Sequence, residues 1–333
     1  MTKKEMIDAL MLEDFSPIYH EADRIRKEVK GDDVFVRSII EFSNYCNRKC
    51  KYCGINCFND KVPRYRMSLE EIVDTAAQAI SAGYRTIVLQ SGEDPYFNGN
   101  NAKRLAEVVS AIRALPTTYP PEPDGSQPFL DITMSTGELP YESLAYLKQC
   151  GATRYLLRHE TSDPELYAFL HPCGTLADRI QCLRNIRKLG YATGSGFMVG
   201  LPGQTLESIA NDVILLETLE CDMAGIGPFI SSPDTQLAGY PNGSTELTKR
   251  AVALCRIHRP ELNLPVTTAL GVLNPEERKD AFSCGANVIM KKVTPTKYKE
   301  AYQIYPSNIE ETRIIEDRKN LDDMIRSLGR RPV

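Results

Sequence analysis

Apolar residues along the chain fall into two alternating rhythms. Short dense runs read as buried strands, and longer stretches with apolar residues three and four apart read as amphipathic helices. The runs are "VFVRSIIEFS" at 34–43, "TIVLQS" at 86–91, "FLDITMST" at 129–136 and "TRYLLRHE" at 153–160. They continue with "YATGSGFMVGL" at 191–201, "MAGIGPFI" at 223–230, "LPVTTAL" at 264–270 and "NVIMKKV" at 287–293. Helical spacing precedes the first run up to Lys30. Between the others it covers 68–83, a stretch near 101–114, 141–150, signals through Lys188, then 205–219, 245–257 and 275–283. The helix at 68 opens with a capping box, Ser68 and Glu71. The phrases "SAGY", "KQCGA", "RKLGY" and "SCGA" place a glycine where each helix stops and a strand begins.

About eight such strand–helix units predict an α/β fold, a single (β/α)8 TIM-type barrel; an open doubly wound sheet is the alternative. The expected layout is an N-terminal helical extension over 1–32, the barrel over 33–310 and a C-terminal helical tail over 311–333. "TYPPEPDGSQP" at 118–128 reads as a surface insertion. Barrel active sites sit at the C-terminal ends of the strands. There stand "YCNRKCKYC", "QSGEDP", "STGE", "RHET", "SSPDT" and "TTALG", polar clusters that a charged ligand in the barrel mouth would satisfy.

The 333 residues suffice for a large core, and a net charge of −4 without a basic stripe argues against nucleic-acid binding. No apolar run spans a membrane, and no signal-peptide core follows Lys3 and Lys4. The expectation is a cytoplasmic protein. Ten cysteines are too sparse for a disulfide scaffold. Six of them (Cys150, Cys173, Cys182, Cys221, Cys255 and Cys284) are scattered and read as small buried side chains. Met134, Met198 and Met290 read as core filling, and His159 as a local hydrogen-bonding residue.

The other four cysteines crowd into one loop: Cys46, Cys50, Cys53 and Cys57, spaced C-x3-C-x2-C-x3-C. A disulfide knot, zinc, a closed iron–sulfur cluster and an open one are the candidates. Structural zinc commonly takes separated pairs. A ferredoxin run is C-x2-C-x2-C-x3-C followed by proline, which this is not. "GSGFMVG" lies within a strand rather than opening a helix, which excludes a dinucleotide fingerprint; its glycines are expected to admit a cofactor close to the backbone.

C-x3-C-x2-C resembles the signature of the radical S-adenosylmethionine (SAM) superfamily. The phrases "IEFSNYCNRKCKYCGI", "RYRMSLEEIV", "TIVLQSGEDPYF", "RYLLRHET", "MVGLPGQT", "GIGPFISSPDT" and "CGANVIM" are similar to those of the FeFe-hydrogenase maturase HydE family, over about residues 35–306. The resemblance implies a 4Fe–4S cluster on Cys46, Cys50 and Cys53 whose fourth iron binds SAM. An electron from that cluster then breaks the sulfonium C–S bond and releases a 5′-deoxyadenosyl radical. It implies SAM contacts from Tyr52, Ser135, Arg158, Glu160 and Arg179; a plain ion pair between Glu160 and Arg179 would also explain those two. For an anionic, amino-acid-bearing substrate it points to Gln90, Thr133, Arg154, Thr267, Thr268, Tyr302 and Tyr305, and to an iron carbonyl–cyanide complex of cysteine. An electron donor such as a ferredoxin or flavodoxin, and other hydrogenase maturases, are the implied partners.

Two alternatives stay open. A 3-methylornithine synthase (PylB) would need a carboxylate for the distal ammonium of lysine. A non-catalytic iron–sulfur carrier would use Cys57 as a fourth ligand. No cysteine follows Cys284, so the second C-terminal cluster of some HydE chains is not expected.

Overall fold

The computed structural model describes residues 1–117, 119 and 128–333; the proline-rich insertion otherwise lies outside the described residues. Two helices come first, α1 (Lys3–Leu10) and α2 (Ser16–Lys30), and the strand–helix series then begins with β1 (Asp33–Ser43), α3 (Leu69–Ser81), β2 (Thr86–Ser91) and α4 (Pro95–Arg113). It continues with β3 (Asp131–Ser135), α5 (Tyr141–Gln149), β4 (Arg154–Leu156), α6 (Pro164–Leu170), α7 (Leu176–Lys188) and β5 (Ala192–Val199). Then come α8 (Leu206–Thr218), β6 (Met223–Pro228), α9 (Thr245–His258), β7 (Pro265–Val266), α10 (Thr268–Leu273) and α11 (Pro275–Asp280). After a 3-10 turn (Ala281–Cys284), β8 (Val288–Lys292), α12 (Thr296–Lys299), α13 (Ile314–Ser327) and β9 (Arg331–Pro332) complete the chain.

The strands run parallel in the order β6-β5-β4-β3-β2-β1-β8-β7. The ring closes through one further bridge, Met223 to Asn263. Asn263 N donates to Asp222 O at 3.0 Å and Ala224 N to Asn263 O at 3.1 Å. This is the nearly closed parallel barrel of a (β/α)8 fold, and an open doubly wound sheet is ruled out.

Local sequence accounts for the helix starts. Ser68 accepts from Glu71 N while Glu71 caps Ser68 N, a device worth about 1 kcal/mol. Asp94 caps α4 and Pro95 occupies its first turn, so that helix starts earlier than its apolar spacing suggested; left-handed backbone at Asn100, Asn101 and Ala102 then kinks it. Two expected strands are shorter. β4 stops at Leu156, with only the isolated bridge of Glu160 to Phe197 beyond it. β7 holds two residues because Thr267 takes the N-cap position and Thr268 opens α10, so Thr268 is helical rather than strand. The tail is not wholly helical either. Its last residues pair with β1, Asp33 opposite Arg331 and Val34 opposite Pro332, edging the foot of the barrel.

Alternation along β1 sorts the interior. Val34, Val36, Ile40 and Phe42 join the apolar layer between sheet and helices, which leaves Arg37, Ile39 and Glu41 toward the barrel axis. The same alternation gives the axis Val88 and Gln90, Thr133 and Ser135, Arg154 and Arg158, and Met290 and Lys292. Glycine fills β5 where strands crowd. Gly196 has φ +148, and a Cβ there would lie 2.0 Å from Gly225 O; at Gly194 it would lie 2.8 Å from Met223 Cγ. The close approach the structure shows at these two glycines is that of the neighbouring strand.

Gly196→Ala must part β5 from β6 and is expected to lower stability by about 3 kcal/mol in urea unfolding. Gly83→Ala, at the C-terminal turn of α3 (φ +91) with nothing within 4 Å of its Cβ, should lose only about 1 kcal/mol for its left-handed backbone. Equal losses would refute the strand-contact argument.

Candidate active site

The cysteine loop leaves the top of β1 and is fixed by the protein's own bonds. Asn44 is wholly buried; its side chain donates to Pro63 O at 2.8 Å and Ala301 O at 2.6 Å and accepts from Tyr65 N at 2.7 Å. The Arg64 guanidinium donates to four carbonyls, those of Asn44, Ile55, Asn56 and Asn59. Gly54 N donates to Ile304 O at 2.8 Å, and a Cβ on Gly54 would lie 2.2 Å from Gln303 O. Glycine is therefore required where the segment carrying Tyr302 and Tyr305 crosses the loop.

Cys46, Cys50 and Cys53 are half-buried in this loop, whereas Cys57 is exposed. Burial pushes the Cys53 thiol up to about 12, with Cys46 adding to it. Burial also raises Cys50 well above the ordinary thiol range, helped by Cys53 and Cys46. His171 Nδ1 stands 3.3 Å from Cys50 Sγ. Desolvation, Arg179 and Arg48 hold this imidazole at about 3, so it is neutral. Tyr52 packs its ring edge-on against His171, centroids 5.4 Å apart, beside an apolar group that includes Leu170, Met198 and Phe229.

Around the loop lies a ring of charge. Arg48 pairs with Glu93 and, at 3.1 Å, with Glu138. Arg179 Nε lies 2.8 Å from Glu138 Oε1 and 3.0 Å from the Tyr167 hydroxyl. Burial opposes its charge, but Tyr167 and Glu138 outweigh burial and hold the guanidinium above its usual range. Arg158 Nη2 approaches Glu160 Oε2 at 3.1 Å without hydrogen-bond alignment. Arg158 Nε and Nη2, Glu160 Oε2, Glu138 Oε1 and His171 Nε2 are buried and lack a hydrogen-bond partner. The expected alternative pair of Glu160 with Arg179 is not formed; each has its own partner.

The barrel interior holds the remaining residues. Ser135 ends β3 opposite Gln90, which in turn lies opposite Glu41. The buried Tyr302 hydroxyl is hydrogen-bonded to the Gln90 side chain. Thr133 Oγ1 and Thr267 Oγ1 are buried and unpartnered, and Thr268 and Tyr305 are half-buried near the rim. Arg154 starts β4 and is held by Asp131, which puts it at the strand's N-terminal end, away from the loop. Between these levels Glu41, 1% exposed, meets Lys292 at 2.8 Å.

Several participants escaped the sequence reading. Glu93 and Glu138 lay in the flagged phrases "QSGEDP" and "STGE". Arg48 lay inside "YCNRKCKYC". Arg37, Glu41, Lys292 and His171 carried no signal, because only the strand register or the turn after α6 brings them in. Of the scattered cysteines, Cys182, Cys221, Cys255 and Cys284 are buried and Cys150 is half-buried. Cys173 is exposed, contrary to expectation: it follows α6 beside the loop, where its sulfur accepts from Lys49 N at 3.3 Å. Met134 and Met198 are buried, and Met290 is half-buried. His159 bonds Ser195 Oγ at 2.8 Å and lies 3.3 Å from Asp212.

Among the described residues no three His, Cys, Asp or Glu groups converge as a single metal ion requires. A cluster makes no such demand, because each thiolate takes its own iron. Buried thiols, of which Cys53 and Cys46 raise Cys50 and Cys46 raises Cys53, need a cationic centre to ionise together, and the Arg158 and Glu160 atoms left without hydrogen bonds suit a zwitterionic ligand beside it. The donor set fits a three-cysteine cluster with SAM. Cys46→Ala, Cys50→Ala or Cys53→Ala is expected to abolish cluster iron after anaerobic reconstitution. Cys57→Ala should keep four irons and four sulfides per chain; loss of iron from that variant would restore the four-ligand carrier.

The sequence pattern of the Radical SAM superfamily matches residues 40–216. The chain is 42% identical to the "[FeFe] hydrogenase maturase subunit HydE" of Thermotoga maritima, over 99% of this chain and 92% of that one. It is 27% identical to the 3-methylornithine synthase of Methanosarcina barkeri, over 95% and 85%. The crystal structure of methylornithine synthase (PylB) superposes with a TM-score of 0.84 at 25% identity, covering 100% of this chain and 94% of that one. The chain belongs to the radical SAM superfamily, enzymes that use a 4Fe–4S cluster and S-adenosylmethionine, and within it to the HydE family of maturases.

Proposed function

We propose that this enzyme serves FeFe-hydrogenase maturation by radical attack on a small anionic substrate enclosed in the barrel. When bound, the cluster and SAM supply a 5′-deoxyadenosyl radical. The protein's own residues hold the two cofactors and the substrate and keep water out.

Arg158 and Glu160, an ion pair at 3.1 Å whose facing atoms make no hydrogen bond, offer a cation and an anion to the amino-acid part of SAM. Arg179 and Glu138 stand behind them, and Tyr52 offers a ring face to the adenine. Ser135, at the mouth end of β3, offers a hydroxyl. Deeper, Thr133 and Thr267 present buried hydroxyls, while Gln90 fixes Tyr302, and Thr268 and Tyr305 close the rim. Arg154, held by Asp131, is a weaker candidate for direct contact and better suited to setting the charge of the floor. Residues 1–32 and 311–333 serve as an N-terminal extension and a C-terminal tail that brace the barrel over 33–310. No described helix is long and apolar enough to cross a membrane, in keeping with work in the cytoplasm on a small organometallic complex, alongside other maturases.

The observation that carries the substrate reading is Arg37. It is 5% exposed, its Nε has no partner, and its Nη1 meets only the Met223 sulfur at 3.3 Å. Burial, with Arg154 adding, drives this guanidinium down to about 9. An unpaired buried cation is strongly unfavourable, and an anionic substrate relieves it. The interior carboxylates Glu41 and Asp131 are already paired, with Lys292 and Arg154. Glu41 Oε2 keeps no hydrogen-bond partner, but its carboxyl is already charge-paired with Lys292, which favours the maturase over a lysine mutase.

Reconstituted enzyme given dithionite and SAM is expected to form 5′-deoxyadenosine, measured by chromatography. Failure with an intact cluster would end the enzyme reading. Glu160→Gln should raise the SAM KM roughly ten- to a hundredfold, as loss of a charge-assisted bond of about 1.5–3 kcal/mol implies. Arg37→Met should keep this basal SAM cleavage while losing its stimulation by the iron carbonyl–cyanide cysteine complex. Turnover of L-lysine would instead support the mutase.

A further inference from the structure

Side chains of the segment 158–160 leave the backbone in two directions. Arg158 and Glu160 pair at the barrel mouth. His159 between them turns the other way, into the layer between β5 and α8, where its ring lies beside Phe197 with centroids 5.9 Å apart. Two more polar side chains meet it there. His159 Nδ1 is 2.8 Å from Ser195 Oγ on β5, and Nε2 is 3.3 Å from Asp212 Oδ1 on α8. All three residues are 0% exposed, and His159 Nε2 and Asp212 Oδ2 have no hydrogen-bond partner. Complete burial of an acid, an imidazole and a hydroxyl, with bonds left unmade, is costly.

Among the described residues none of the three bonds to the Arg158 or Glu160 side chain. Their other bonds run to backbone, on either side of one short turn. Ser195 Oγ donates to Leu157 O at 3.1 Å, and Asp212 Oδ1 accepts from Ser162 N. Between these anchors stand Arg158, His159, Glu160 and Thr161, with Glu160 left-handed at φ +66. Strand β5 already holds Leu157 N and both ends of the Glu160 peptide. The buried network adds the Leu157 carbonyl, the His159 ring and the Ser162 amide. Polar groups bonded in a dry layer resist displacement, because each lost bond strands a buried partner.

We propose that Asp212 is a positioning residue for SAM: with His159 and Ser195 it fixes the turn that presents Arg158 and Glu160 to the cofactor. The inference rests on the radical SAM reading of the mouth and adds to it residues from the layer behind. Asp212 itself touches neither cofactor nor substrate. Its carboxylate meets the turn at two points, the His159 ring before Glu160 and the Ser162 amide after it. Rotation of the Glu160 peptide must break contact at one of them. Apolar side chains in these places would fill the same volume without setting a direction.

Asp212→Asn keeps an acceptor for Ser162 N and removes the charge facing His159. Without SAM, hydrogen exchange followed by mass spectrometry should quicken over residues 158–162 and stay unchanged over 86–91. With SAM, calorimetric titration of the cluster-loaded, unreduced enzyme, in which nothing turns over, should show affinity lowered about tenfold, within the roughly hundredfold that an ångström of misplacement can cost. In dithionite-driven assays the SAM KM should rise in step while kcat stays within about twofold. In a Glu160→Gln background the same change should cost less than about twofold more, because the turn no longer has a carboxylate to aim. Glu217→Gln, on the same helix but paired with His258, should leave every reading at the wild-type value. Ser195→Ala, which frees His159 Nδ1 without added bulk, should repeat the pattern more weakly, and it decides the matter if Asp212→Asn does not fold. Wild-type exchange over 158–162 or wild-type affinity in these variants overturns the proposal. So does a loss that simply adds to that of Glu160→Gln, or an equal loss from Glu217→Gln. Quickened exchange in Asp212→Asn with no SAM binding even by the wild-type enzyme would instead strike the radical SAM reading on which the proposal rests.

Discussion

Three thiolates confined to one poorly hydrated loop repel one another, and the rest of this structure follows from how that repulsion is resolved. Burial and mutual proximity push Cys50 and Cys53 up, so the loop cannot ionise without a cationic centre among the sulfurs. The protein's own cations offset this only in part, Arg179 acting on Cys50 and Arg64 on Cys53. His171 beside Cys50 is held neutral, and the nearby guanidiniums of Arg48 and Arg179 are engaged by Glu93 and Glu138. Neutralisation is left to iron. The loop's shape is independent of iron, because Asn44, Arg64 and Gly54 fix it through backbone carbonyls. Preorganisation of this kind lowers the ordering needed when the cluster binds.

The barrel answers the same problem on a larger scale. Its helices take the apolar face of every strand, and its axis is given to Arg37, Glu41, Asp131, Arg154, Arg158 and Lys292. Most of these charges cancel in pairs. The unpaired Arg37 below and the Arg158–Glu160 pair above, whose facing atoms make no hydrogen bond, lie at two levels. Two levels of unmet polarity inside one enclosed space suit a cofactor at the mouth and a second charged molecule beneath it. Closure matters equally, since the ring is completed by a single bridge between Met223 and Asn263 rather than by a full strand pair.

What could be read in advance, and what could not, divides along a physical line. The Ser68–Glu71 box, the strand at Thr86–Ser91 and the cysteine spacing depend on residues a few positions apart, and each stands as the sequence implied. Contacts set by register were not legible. Nothing local says that Glu138 pairs with Arg179, that Lys292 reaches Glu41, or that Val333 folds back to bond Val36. The Thr267–Thr268 pair misled because β-branched residues suit strands, whereas the chain turns into α10 here with Thr267 at the N-cap position, its hydroxyl not capping the helix and left without a partner. Cys173 was taken as buried from residue type alone, although its place in the turn after α6 makes it part of the site's rim.

The shortness of β4 and the geometry of the site have one cause, residue Glu160. Its φ of +66 is left-handed for a residue with a Cβ, a conformation costing about 1 kcal/mol or more. It is kept because Glu160 N donates to Gly196 O and Met198 N donates to Glu160 O, both at 3.0 Å, so β5 holds both ends of the peptide. A strand that continued straight from Leu156 would alternate its side chains past the mouth. The turn at Glu160 instead sets its carboxylate beside Arg158, 3.1 Å away, within the electrostatic reach of Tyr52 and the loop sulfurs. The strain is therefore local, compensated by two strand hydrogen bonds, and confined to the position where an acidic side chain turns toward Arg158 instead of a neighbouring strand.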